Sequence, residues 1–149
     1  MCAAYFMLLA LYPLLFSQKR TALSFRSLLS LGTIILISTL VLLVSFSIQD
    51  VDLGNRVLHT FGGGFLGFLV CFLAAKDSRI NINRFQFLVF SALIVLALGI
   101  ANELLEFMLQ EYVGMIFAIH VNDTWLDLAS NVTGIVLGAL LITPFYRGN

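Results

Sequence analysis

Apolar residues in this chain come in long unbroken runs, not in the alternating pattern of a half-buried strand. A hydrocarbon core of about 30 Å calls for roughly 20 apolar residues in helical form. Four charge-poor runs meet that length: residues 28–48, 57–75, 86–109 and 128–146. His59 is the one ionisable group inside the second run, and acids enter the third only in its last two turns. Leu, Ile, Val, Phe and Gly fill all four, without the period of two that a barrel strand requires. Each run predicts a spanning helix, so the expected fold is an all-α membrane protein with a bundle of four transmembrane helices.

A fifth, shorter apolar segment, residues 1–16, comes first. At about 1.5 Å per residue it reaches roughly 24 Å, short for a span, and Pro13 stands near its end. The segment lacks the leading basic stretch and the small-x-small site of a secretory leader. It predicts a short retained helix, with an interfacial helix or a cleaved leader as the alternatives. Residues 1–27 are then an N-terminal segment with a basic loop, and residues 28–149 a four-helix transmembrane domain.

Composition agrees with the pattern: of 149 residues, 60% are hydrophobic and 11% charged. Soluble domains run about 45–50% apolar and about 25% charged. Eight Lys plus Arg balance eight Asp plus Glu, which removes the basic excess that nucleic-acid binding needs. Cys2 and Cys71 do not make a disulfide framework. The charges are strongly sorted. Lys19, Arg20, Arg26, Lys76, Arg79, Arg84 and Arg147 fall in loops on one side, whereas Arg56 shares the other with Asp50, Asp52, Glu103, Glu106, Glu111, Asp123 and Asp127. Short loops rich in Lys and Arg stay in the cytoplasm. The expected location is therefore a cytoplasmic membrane, with the acidic side facing out.

The outer side holds the candidate chemistry. Arg56 and His59 are three apart, Glu103, Glu106 and Gln110 follow a three-then-four step, and Asp123, Asp127 and Asn131 step by four. Each set lies on one helical face, and a bundle would converge all three into one pocket. A plainer reading stands beside this one. Glu103 could mark the water interface where the third span ends, Thr124 and Asp127 have the spacing of a capping box, and Asn55 could cap the second span. Against it, Glu103, Glu106 and Glu111 crowd the negative end of their helix and Arg56 sits at the positive end of its own. Each placement costs about 0.3–1 kcal/mol unless paired. Arg56 and a protonated His59 are the expected partners of Glu103 and Glu106.

A His with carboxylates also offers ligands for a divalent ion such as Zn, Mn or Fe. His59, Glu103 and Glu106 are the candidate ligands, and a divalent metal is the candidate cofactor. His120 lies in a connection with no defined spacing, and residues 112–121 could fold back onto the bundle as a short re-entrant or interfacial segment. No nucleophile elbow, phosphate loop or dinucleotide fingerprint occurs. Gly62, Gly63, Gly64 and Gly67, with Gly134 and Gly138, have the small-x-x-x-small character of close helix contacts. That contact would bring the second and fourth spans together, and with them His59 and Asn131.

Asn55-Arg56-x-x-His59, Glu103-x-x-Glu106 and Asp127-x-x-x-Asn131-x-x-Gly134-x-x-x-Gly138 resemble, in this order, motifs of the VanZ-like family of small bacterial membrane proteins. Asn55 stands where that family has an acid, Glu106 where it has Gln, and the arginine expected before the Asp is missing. Glu-x-x-Glu followed by Asp123 and Asp127, with His59-x-x-Gly62-Gly63, looks closer to the related YjdF-like membrane proteins. The resemblance implies a bacterial inner-membrane helical bundle, in a family whose founding member is associated with resistance to a glycopeptide antibiotic.

The leading expectation is an outward-facing pocket that binds an envelope-related ligand, a lipid head group or cell-wall precursor. His59, Glu103, Glu106 and Asp127 are its candidate catalytic groups, and Arg56, Gln110, Asp123 and Asn131 its candidate binding groups. The alternatives are a proton- or cation-coupled transporter subunit, or a structural membrane partner whose charges only form salt bridges. The cytoplasmic half offers essentially only Ser and Thr, which favours a one-sided outer site over a transport path.

Overall fold

A computed structural model describes residues 1–16, 24–115 and 122–147. The elements in chain order are α1 (Cys2–Leu15), α2 (Phe25–Ser47), α3 (Val51–Val57), a π-helical stretch (Leu58–Phe65), α4 (Leu66–Asp77), α5 (Arg84–Val113) and α6 (Asp123–Ile142), closed by a 3₁₀ turn (Thr143–Phe145). The second span is continuous through its π-helical centre, Val51–Asp77. Among the described residues, four helices are long and apolar enough to cross a membrane, as the runs predict. No strand occurs among them.

The helices outrun the charge-free stretches because polar residues stop them, not the end of hydrophobicity. Asp50 caps α3 by accepting from the Leu53 amide at 3.0 Å. Asn55 is thus interior to the helix, not its cap. Asn83 and Gln86 form a reciprocal capping box, with bonds of 2.8 Å and 3.0 Å, at the start of α5. The 30-residue α5 then runs to Val113 and ends on Gly114, whose φ of 78° is a left-handed stop that glycine adopts without strain. Glu103 is therefore well inside this helix and is buried against its neighbours. The α5 helix also takes up Tyr112 and Val113, so these do not begin a re-entrant segment; residues 116–121, with His120, lie outside the described residues. Asn122 occupies the N-cap of α6 without a side-chain cap bond. Asp127 is not part of a capping box, because its carboxylate is turned to Arg56 and Asn55.

Helix α1 has 14 residues. Tyr5, Leu8 and Tyr12, at helical spacing, are buried and face α4. The Tyr5 hydroxyl donates to Asp77 at 2.6 Å. At this end of the bundle Phe87 stacks on Tyr146 at 4.2 Å, with Phe68 and Phe72 edge-on to Phe87. Arg84 donates to the Tyr146 carbonyl at 2.9 Å. These contacts tie α4, α5 and the C-terminal turn together.

At the opposite end α6 closes against the π-helical stretch. A Cβ on Gly134 would run into the Thr60 carbonyl and stand 2.8 Å from the Gly64 Cα. On Gly138 it would lie 2.8 Å from the Phe68 Cβ. The expected contact of the second and fourth spans is present, with Gly64 meeting Gly134 and Gly138 packing on Phe68. Outward-facing positions such as Leu28, Leu43, Leu104 and Leu140 are exposed and apolar, the surface that a bilayer covers.

Candidate functional site

The backbone contact of Gly64 with Gly134 sets the positions of the polar side chains. Asn131, one turn before Gly134, is buried and faces the second span. A Cβ on Gly63 would collide with its amide oxygen, and one on Gly99 would lie 3.2 Å from its amide nitrogen. Two glycines on two helices thus leave the space that Asn131 fills. From there its Nδ2 reaches the His59 Nδ1 at 3.4 Å. In the tautomer that accepts at Nδ1, the ring directs its Nε2 proton toward Asp127 Oδ1, 3.5 Å away.

His59 lies in the π-helical stretch, a distortion that recurs at functional sites. Glu103 from α5 places Oε1 3.8 Å from the His59 Nδ1. One imidazole therefore lies between two acids from two other helices. Both acids are withdrawn from solvent, Glu103 at 7% and Asp127 at 3% exposure. Oε1 of Glu103 is buried with no hydrogen bond among the described residues.

Arg56 sits one helical turn from His59 and pairs with both Asp123 and Asp127. It also donates to the Asp123 carbonyl at 3.3 Å. Asn55 adds bonds of 3.0 Å and 3.3 Å to the two oxygens of Asp127. The expected pairing of Arg56 with Glu103 and Glu106 is thus corrected. The guanidinium goes to α6, because Asp123 and Asp127 lie four apart on one face and match its two-pronged geometry. Glu106 is held by Asn102 of its own helix at 2.6 Å. Gln110, one turn further on, is exposed and does not line the cavity described next.

Between α2 and α5 lies a cavity of about 450 Å³. Val41, Leu42, Leu66, Val95 and Leu98 form apolar walls, and His59, Asn102, Glu106 and Asn131 supply polar groups. The structure therefore divides the predicted residues in two. His59, Glu103, Asp127 and Asn131 form a buried cluster bordered by Arg56 and Asp123, while Glu106 faces the cavity beside it.

His59, Glu103 and Asp127 each offer one metal-type ligand atom, and the three atoms lie within 4.8 Å of one another. Asp127 takes the place that the sequence reading gave to Glu106. Asn102 goes unremarked in the sequence analysis, and Asn55, expected there as a cap, instead serves the site. Both carried a signal, since Asn55 is four residues from His59 and Asn102 four from Glu106, each pair on one helical face.

A family model described as "Predicted membrane protein (DUF2238)" matches residues 1–148. No curated protein and no solved structure matches the chain.

Proposed function

The chain belongs to this family of membrane proteins, and on that premise we propose that it is a VanZ-like protein of the bacterial inner membrane that binds an amphipathic envelope lipid from the outer side. The observation that carries the reading is the two-part character of the cavity. Its apolar walls from α2, α4 and α5 suit an acyl or prenyl chain, and its polar groups, His59, Asn102, Glu106 and Asn131, suit a head group. A soluble polar ligand would leave the walls without use, and a hydrocarbon alone would leave buried polar atoms without partners.

The outward placement is supported by charge. The polar cluster shares its end of the bundle with Asp50 and Asp52, and the cations Lys76 and Arg84 lie at the opposite end. The cationic end is the cytoplasmic one by the positive-inside rule.

Filling the cavity tests the reading. Leu98 lines it and is partly exposed, so Leu98→Trp can take up space without entering the core. Purified gently from bacterial membranes and examined by native mass spectrometry, the wild-type chain is expected to retain a lipid adduct, and Leu98→Trp to lose most of it. Equal lipid retention by a folded Leu98→Trp would overturn the reading.

A further inference from the structure

We propose that His59, Glu103 and Asp127 together bind one divalent cation of the zinc or manganese kind. The inference shares His59 with the lipid reading, while its other two ligands, Glu103 and Asp127, do not line the cavity, so the two can fail separately.

One imidazole nitrogen and two carboxylate oxygens, from three different helices, lie within 4.8 Å of one another. Three donors at about 2.1 Å from a common ion stand roughly 3.4 Å apart in tetrahedral geometry. Asp127 Oδ1 stands 3.5 Å from Nε2 of His59 and Glu103 Oε1 3.8 Å from its Nδ1, on the two sides of the ring, and the set of one nitrogen and two carboxylate oxygens spans up to 4.8 Å. Binding through Nε2 asks the Glu103 carboxylate to swing about its side-chain bonds toward that nitrogen. Nitrogen and oxygen donors without thiolate suit Zn²⁺, Mn²⁺ or Fe²⁺ more than soft ions.

Arg56 is the cation in direct contact with this cluster, and both Asp123 and Asp127 use it. Glu103 brings a third carboxylate without a further Lys or Arg against it among the described residues. Its Oε1 is buried, aimed at the ring, and makes no hydrogen bond among those residues. A buried acceptor without a hydrogen bond is costly. A divalent ion answers the excess of negative charge and the unsatisfied oxygen in one place.

Metal-binding side chains are held by outer partners. Here Asn55 donates to both oxygens of Asp127, and Asn131, seated in the space left by Gly63 and Gly99, stands beside Nδ1 of His59; with its amide turned so that the oxygen accepts the Nδ1 proton, Nε2 is the nitrogen free to bind the ion. Three protein ligands leave coordination positions open, and His59 borders the cavity into which they would face.

The test uses the purified full chain in detergent. It is stripped with a chelator, incubated with Zn²⁺ or Mn²⁺, desalted and analysed for metal by plasma mass spectrometry. The wild-type chain should hold about one ion per chain, since a preorganised site binds without refolding. His59→Ala, Glu103→Gln and Asp127→Asn should each lose most of it, and Glu111→Gln, an exposed acid on the same helix as Glu103, should keep it. Glu103→Gln is nearly isosteric, and its elution as a single folded species is checked alongside. Added metal should also raise the melting temperature of the wild-type chain and not that of Glu103→Gln. Wild-type protein whose metal content and melting are unchanged by either ion would overturn the proposal. So would equal retention by a folded Glu103→Gln.

Discussion

Arg56 is the residue on which the charged end of the bundle depends most. Its guanidinium holds Asp123 and Asp127 at once, and the three side chains keep 20%, 14% and 4% exposure. Removing it leaves two largely buried carboxylates facing each other. Breaking a buried pair from one side costs about 3–5 kcal/mol, far more than an exposed pair is worth. Arg56→Ala is therefore expected to lower the melting temperature in detergent sharply. The double variant Arg56→Ala/Asp127→Ala should lose less than the two single variants added together. Strict additivity would mean that water already screens the pair. Asn55→Ala should have a smaller effect, because Asp127 would keep its ion pair and lose one neutral donor group.

Among the elements, the contact of α6 with the π-helical stretch positions the most chemistry. Lipid supplies no hydrophobic drive for helices to associate, so they rely on close van der Waals contact between small residues. Gly134 sits where any Cβ would enter the Thr60 carbonyl, whereas Gly32 on α2 has nothing within 4 Å of that position. Gly134→Ala should destabilise by about 3 kcal/mol or more, at the upper end of overpacking effects. Gly32→Ala should be neutral or stabilising by up to about 1 kcal/mol from helix propensity. Thermal unfolding of the two variants in detergent checks the contrast. A Gly134→Ala chain as stable as wild type would be incompatible with this contact. Loss of the contact would also part His59 from Asn131 and Asp127, so the site and the packing stand or fall together.

For the whole molecule, the four long helices place their connections at alternate ends, and sidedness becomes measurable. Asp52 is exposed at the end that carries the cluster, and Asn81 is exposed in the connection between α4 and α5. In a chain whose Cys2 and Cys71 are replaced, Asp52→Cys should react with a membrane-impermeant thiol reagent in intact cells. Asn81→Cys should react only after the cells are opened. The reverse pattern would place the cluster on the cytoplasmic side and refute the outward reading. Substituting Asn81 touches neither the cluster nor the cavity.

The sequence by itself determined the number and order of the long helices, and the choice of helix over strand. A segment in hydrocarbon must satisfy its own backbone, so span length and apolar continuity are written locally. It also placed His59, Glu103, Asp127 and Asn131 at one level, because each stands toward the outer end of its apolar run. It assigned helix ends less well, since Asp50, Asn83 and Gly114 act through caps that lie outside the apolar runs. Only the tertiary structure decided who meets whom. Arg56 goes to Asp123 and Asp127 and not to the glutamates, Asp127 joins the cluster in place of Glu106, and Asn102 keeps Glu106 on its own helix. Those choices depend on how far each helix turns about its axis, which is set by the backbone approach of Gly64 and Gly134, a contact between residues 70 positions apart. Local spacing carries no record of that rotation.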